Sequence, residues 1–162
     1  MEYTNDQGIQ KEYESMSADR DAFLSRARAC AEITIPTLMP QEGHTGSSVY
    51  NTPFQSVGAR GVNISASKLL MALLPPNSPF FRLTIDDFDL QELAGDDARG
   101  QAEEALARIE RSAAQLIEAK AVRVPAHEAI KQLIVAGNVL TYMPKDGGMK
   151  IYRLDRYVCK RD

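Results

Sequence analysis

The sequence predicts an α+β fold, mainly α-helical, with a small antiparallel β element at its C-terminal end. Three observations lead there. Apolar residues recur every three or four positions over most of residues 1–138, the spacing of a buried helix face. Prolines and a glycine interrupt that pattern at Pro36, Pro40, Pro75, Pro76 and Gly137, dividing it into helices of ordinary length. After Val139 the period shortens, and two strand-like runs flank Asp146-Gly147-Gly148, a hairpin turn signal. Residues 1–138 are therefore expected as a helical portion, and 139–162 as the start of a β-sheet that continues further.

The first helix is predicted over 17–35. Phe23, Ala27, Cys30 and Thr34 recur at helical spacing, Asp19, Arg20, Arg26 and Arg28 lie on wetter faces, and Pro36 stops it. Residues 41–51 (QEGHTGSSVYN) are turn formers without an apolar period, hence a loop. A second helix is predicted over 52–74, with Thr52 as N-cap, Pro53 in the first helical position and Gln55 completing a capping box. It carries two apolar stripes: Ala59, Val62, Ala66, Leu69 and Leu73, and on another side Val57, Ile64, Met71 and Leu74. A helix apolar on two sides packs against two layers, or against its own layer and a neighbouring subunit. Gly58 and Gly61 each cost such a helix about 1 kcal/mol relative to Ala, which close approach by another backbone would offset. Arg60 and Lys68 are expected to pair with acidic groups in this subunit or its neighbour. Gly58, Arg60, Gly61 and Lys68 are thus the candidate subunit-packing residues.

Residues 80–85 read as a short strand and 86–97 as an acidic surface connection. A long amphipathic helix is predicted over 97–121, with Ala102, Leu106, Ile109, Ala113, Leu116 and Ile117 facing inward. Pro125 opens a further helix to Ala136, its core face Ala129, Ile130, Leu133 and Ile134, and Gly137-Asn138 ends it. Residues 139–143 and 149–154 are the hairpin strands, and Tyr157-Val158-Cys159 begins a third. An isolated hairpin is marginal in water, so the intact protein is expected to continue into more β-structure.

Composition bounds the function. With 22 acidic against 19 basic residues the net charge is −3, and no basic run precedes Lys160-Arg161. Clustered cations drive phosphate-backbone affinity by releasing counterions, so tight nucleic-acid binding is not expected, while passive contact with DNA is compatible. The apolar-rich stretch 53–75 is broken by Gln55, Arg60, Asn63 and Lys68 and is no membrane span. The polar, acidic start is no signal peptide, and an intracellular site of synthesis is expected. Cys30 and Cys159 form no CxxC pair and are expected as buried reduced thiols.

Catalytic motifs fail on spacing. His127-Glu128 would need a second His where Lys131 stands, leaving His127 as a cap-region or packing residue. The loop Gly43-His44-Thr45-Gly46-Ser47-Ser48 lacks the lysine of a phosphate-binding loop, and Gly58-Ala59-Arg60-Gly61 lies inside a helix without the GxGxxG spacing. Asp86, Asp87 and Asp89 read as a solvated acidic loop. No Ser or Cys has a His partner legible in the sequence. Neither a catalytic residue nor a cofactor nor a metal site is expected.

Five collinear segments carry a resemblance: Ile33-Thr34-Ile35-Pro36-Thr37-Leu38-Met39-Pro40; Thr52-Pro53-Phe54-Gln55-Ser56-Val57-Gly58-Ala59-Arg60-Gly61-Val62-Asn63 with Ala66-Ser67-Lys68-Leu69 and Ala72-Leu73-Leu74-Pro75; Phe81-Arg82-Leu83-Thr84-Ile85; Lys131-Gln132-Leu133-Ile134-Val135-Ala136-Gly137-Asn138-Val139-Leu140; and Lys150-Ile151-Tyr152-Arg153-Leu154 with Tyr157-Val158. In order and gaps they resemble the N-terminal portion of the portal, or head-to-tail connector, proteins of T7-like short-tailed bacteriophages. Phe54 stands where relatives lead us to expect Trp, 86–99 match poorly, and family members run several times longer. The resemblance implies the body and wing region of a dodecameric ring at a unique capsid vertex, the conduit for double-stranded DNA packaging and ejection. It implies as partners the other ring copies, the capsid protein, the terminase large subunit, scaffold or internal core proteins, and tail adaptor proteins. DNA would pass without sequence specificity, no membrane would be involved, and ATP hydrolysis would belong to the terminase. The protein would be assembled in the host bacterial cytoplasm and reside in the virion. A helical adaptor of a virion assembly without a channel role is the alternative, and an enzyme with its active site outside these residues a third.

Overall fold

The computed structural model describes residues 6–76, 79–84 and 96–160. In chain order these form α1 (Asp6–Ile33), a 3-10 turn (Pro36–Leu38), α2 (Val57–Leu73), α3 (Asp96–Ala119), α4 (Arg123–Ala136), β1 (Leu140–Tyr142), β2 (Lys150–Tyr152) and a second 3-10 turn (Leu154–Arg156). The fold is α+β and mainly helical, as the sequence predicts, with one two-stranded antiparallel sheet among the described residues.

Helix α4 is the centre, packed against both α1 and α2 and touching β2. Small side chains permit this: Ala27, Ala31, Ala66, Ala129 and Ala136 are all buried, so helix axes come close without large cavities between them. Leu24, Leu38, Met39, Val62, Val135 and Leu154 fill the remaining space, with Phe23, Ile35 and Tyr157 against the cluster. One polar side chain is buried with them. Gln132 donates from Nε2 to the Leu38 carbonyl at 3.2 Å, pinning the first 3-10 turn onto α4.

Several boundaries depart from expectation. Helix α1 begins at Asp6 and not at residue 17. Its N-terminal part is held by helix-favouring residues such as Gln10, Lys11, Glu12 and Glu14, with Gln10 donating to Glu14 at 2.9 Å one turn on. Its buried residues are Leu24, Ala27 and Ala31, a face that leaves Cys30 outside. Cys30 and Cys159 are both free and exposed, which corrects the expected burial. The capping box is not formed either. Helix α2 starts at Val57, and Ser56 in the N-cap position makes no side-chain cap bond. A cap contributes about 1 kcal/mol, which the packing of α2 against α4 outweighs.

Residues 79–84 form no strand, and no strand among the described residues offers them a ladder; the Leu83 N–H donates instead to Glu110 Oε1 at 2.5 Å. Residue 85 and most of the predicted acidic connection lie outside the described residues. Helix α3 matches its prediction within two residues at each end but packs only lightly on other elements. Its Ile109 and Leu116, predicted inward, are more than half exposed, whereas Leu106, Ala113 and Ile117 are half-buried. An elbow follows at Ala121, a non-glycine residue at φ 49°, a conformation costing about 1–2 kcal/mol.

In α4, Pro125 falls in the first turn, where its missing N–H has no intrahelical partner to lose. The buried face is Ala129, Ile130, Gln132, Val135 and Ala136. Leu133 and Ile134, predicted as core, are exposed, since contact with α1 on one side and α2 on the other rotates the covered face. Gly137, at φ 74°, ends the helix with its N–H donating to the Leu133 carbonyl, the stop expected of it. The hairpin pairs Leu140 with Tyr152, Thr141 with Ile151 and Tyr142 with Lys150. The predicted third strand is absent among the described residues: Tyr157 is extended, at φ −146° and ψ 159°, yet pairs with no strand.

Candidate functional site

Each residue turns an α-helix by about 100°, so residues seven apart stack nearly in one row. On α2 that row is Val57, Ile64 and Met71, and it lies opposite the buried Val62 and Ala66. The three side chains are 69%, 52% and 57% exposed. Arg60 and Lys68 flank the row on its two sides, both exposed, and neither has an ion-pair partner among the described residues. Gly61 stands beside the row, and an added Cβ there would meet nothing within 4 Å. The outward stripe read from the sequence is thus an uncovered apolar strip edged by two cations.

Gly58 belongs to the other face. A Cβ there would overlap the Ile33 carbonyl oxygen and stand 3.1 Å from Thr34 Cγ2 and 3.2 Å from its Cα. The close backbone approach expected for both glycines therefore exists for Gly58 within the chain. At Gly61 no group among the described residues supplies it.

Two arginines that sequence spacing did not single out hold the strip's scaffold in place. Arg123 donates from Nε to the Leu74 carbonyl and from Nη2 to the Pro75 carbonyl, each at 3.0 Å. Its Nη1 reaches Glu118 Oε2 at 2.6 Å. One guanidinium thereby caps the C-terminal end of α2, where carbonyls lack intrahelical partners, and ties it to α3. Arg20 of α1 donates from Nη1 to the carbonyls of Tyr157 at 2.8 Å, Asp155 at 3.4 Å and Leu154 at 3.5 Å. Of these acceptors the Tyr157 carbonyl is one that the expected third strand would have used; the other two belong to the second 3-10 turn. The only sequence signal for either was an arginine at the edge of an apolar face, and backbone acceptors carry no residue signature.

His127 of α4 places Nε2 3.3 Å from Ser67 Oγ on α2, in keeping with a packing role. Among the described residues no three His, Cys, Asp or Glu side chains are grouped to hold a metal ion. No helix among them is long and apolar enough to cross a membrane. The arrangement on α2 is suited to docking, through apolar burial at its centre and charge at its edges.

Comparisons with known proteins point to one family. The family described as bacteriophage head to tail connecting protein matches residues 6–162. The chain is 44% identical over 160 residues to the portal protein of Enterobacteria phage T3 and 44% over 161 residues to that of Escherichia phage T7, covering 96% of the chain in each case. It is 35% identical over 158 residues to the portal protein of Enterobacteria phage SP6. The chain spans 30% of the length of each of these curated relatives.

Proposed function

The chain belongs to the family of bacteriophage head to tail connecting proteins, and from that premise we propose that it is the N-terminal part of a portal subunit. In this reading the full-length protein closes into a ring, dodecameric in the family's manner, at one capsid vertex. Double-stranded DNA enters and later leaves through the ring without being read or chemically changed. Residues 1–138 contribute to the body and wing, and 139–162 lead into further β-structure. The capsid protein, terminase large subunit, scaffold or internal core proteins and tail adaptors dock on the assembled ring. The subunit itself is structural; packaging energy comes from the terminase. The protein resides in the virion after assembly in the host cytoplasm.

The observation that carries this reading is the uncovered strip on α2. A protein rarely leaves Val57, Ile64 and Met71 open in a row unless another surface covers them. In a ring each subunit presents one face to its neighbour and receives a different face on the other side. Gly61 leaves room beside the strip, and Arg60 and Lys68 are free to meet acidic groups across the joint. A net charge of −3 suits a conduit, because every added phosphate contact would slow DNA passage.

The test is electron microscopy and light scattering of the full-length protein with and without Ile64→Asp. The wild type is expected as closed rings with a central pore. The variant is expected to keep its helical circular dichroism and lose the rings. A strictly monomeric wild type, rings lacking a pore, or a variant that assembles normally would overturn the reading.

A further inference from the structure

The face of α1 that enters the core extends beyond the core. Ile9, Tyr13, Met16, Arg20, Leu24, Ala27 and Ala31 recur at intervals of three or four, so they form one stripe along the helix. At its C-terminal end the stripe is buried, through Leu24, Ala27 and Ala31. Ile9 and Tyr13 continue the same stripe, yet they are 53% and 52% exposed.

What covers the middle of the stripe is the C-terminal segment of the chain. Arg20 holds the carbonyls of Leu154, Asp155 and Tyr157. Further along, Lys160 Nζ meets Glu12 Oε1 at 2.8 Å. From the level of Arg20 to that of Glu12 the helix rises over eight residues (20 − 12), roughly 12 Å. Three extended residues, Tyr157 to Lys160, cover roughly 10 Å. The segment therefore runs along α1 towards its N-terminus. Met16, Phe23, Leu154 and Tyr157 line a cleft of about 610 Å³ beside that path, with Glu12 and Lys160 also in its lining.

We infer that the strip of Ile9, Tyr13 and Met16 is the seat of this chain's own continuation: the extended segment that follows Asp162 in a protein of its relatives' length. The existing interface points at the strip, and the next residues arrive already tethered. A tethered segment acts at an effective concentration in the millimolar range, which favours it over a segment of another molecule. The occupant alternates apolar residues facing α1 with polar ones facing solvent. It completes the burial of α1, and it fixes the helix against the part of the protein beyond residue 162. The inference does not depend on ring assembly.

The experiment uses the full-length protein with p-benzoylphenylalanine in place of Tyr13, in place of Ile9, and in place of Lys11 as an outward-facing control. After irradiation, Tyr13 and Ile9 variants are expected to give a product of unchanged subunit mass on denaturing gels. Mass spectrometry is expected to place the cross-link on the same chain within about ten residues after Asp162. The Lys11 variant is expected to give no such product. A cross-linked species of doubled mass, a link to a different protein, a link elsewhere in the chain, or no link at all would overturn the inference.

Discussion

Replacing Gly58 and Gly61 by alanine, one at a time, should move stability in opposite directions, although both sit in the same helix three residues apart. The favourable part is common to both: a methyl in place of hydrogen restricts the unfolded backbone and favours helix by about 1 kcal/mol. At Gly61 nothing within 4 Å opposes it, so a gain of about 1 kcal/mol is expected. At Gly58 the new Cβ would overlap the Ile33 carbonyl oxygen and crowd Thr34. That obstacle is backbone at the end of α1, which cannot rotate aside as a side chain would. Relieving it requires α1 and α2 to separate, at a cost of about 1–3 kcal/mol, with the upper part of the range apt for a backbone clash. The net effect at Gly58 is a loss of about 1–2 kcal/mol, and the two variants should differ by roughly 2–3 kcal/mol. For a domain of this size each kcal/mol corresponds to about 2–4 °C in melting temperature. Thermal unfolding by circular dichroism, in the Ile64→Asp background so that ring contacts do not enter, would separate them by several degrees. Equal shifts of the same sign would refute the assigned packing at Gly58.

Gly61→Leu should leave the subunit folded yet reduce ring yield, because the larger side chain occupies the space reserved for a neighbour; unchanged ring counts in micrographs would contradict that. Arg20→Met keeps the aliphatic stem and removes the carbonyl clamp, at about 2–3 kcal/mol for hydrogen bonds to a charged donor. Amide exchange in residues 154–160 should accelerate at least tenfold, and unaltered protection would refute the clamp. Gln132→Glu replaces the amide that donates to the Leu38 carbonyl with a carboxylate in the core, and should cost about 3 kcal/mol or more, read as a lower denaturation midpoint. The C-terminal segment should also be sensitive to pH at both extremes. Lys160, by hydrogen bond and charge, holds the Glu12 carboxyl below its usual value of 4.5. That contribution is full above 4.5 and is lost as pH falls through the lowered value. Glu12 raises the Lys160 ammonium above 10.5, and burial, with the charge of Cys159 second, raises the Tyr157 phenol above 10.0. These two contributions are full below those values and are lost as pH rises through the raised ones. Limited proteolysis around residues 154–160 should therefore be slowest near neutrality, and faster both below the lowered Glu12 value and above the raised Tyr157 and Lys160 values; a flat profile would refute the coupling.

Much of the fold was legible because its punctuation is chemically unambiguous. Gly137 can take φ 74° where other residues resist, and Asp146-Gly147-Gly148 supplies the turn that pairs Thr141 with Ile151. What escaped lacked a periodic or conformational signature. The first turns of α1 carry only a sparse stripe, Ile9, Tyr13 and Met16, among polar residues, and Ile9 and Tyr13 stay exposed, so the apolar spacing there is easily passed over. Thr52 and Gln55 have the right spacing for a cap, yet a preference worth about 1 kcal/mol yields to tertiary seating. Residues 80–84 have strand-like composition but no partner edge. Cys30 lies on the turn of a helix that only the placement of α4 makes outward. Gly58 and Gly61 are equivalent in the sequence and differ only once Ile33 is in position. The outward row on α2 was readable as a second stripe, whereas the clamps of Arg20 and Arg123 reach carbonyls whose positions no residue type encodes.

The elbow after α3 has a mechanical side. With 24 residues, α3 is a rod roughly 36 Å long that gains little lateral support from the other elements. Length multiplies angular play: a tilt of about 5° at the elbow, unopposed by the Leu83–Glu110 hydrogen bond, would displace the far end by roughly 3 Å. The joint carrying that leverage contains a strained Ala121 and one guanidinium spanning Glu118 on the rod and the Leu74 and Pro75 carbonyls on the body. Arg123 is thus a strut at the elbow, and it stiffens the angle of α3 together with the Leu83–Glu110 hydrogen bond further along the rod.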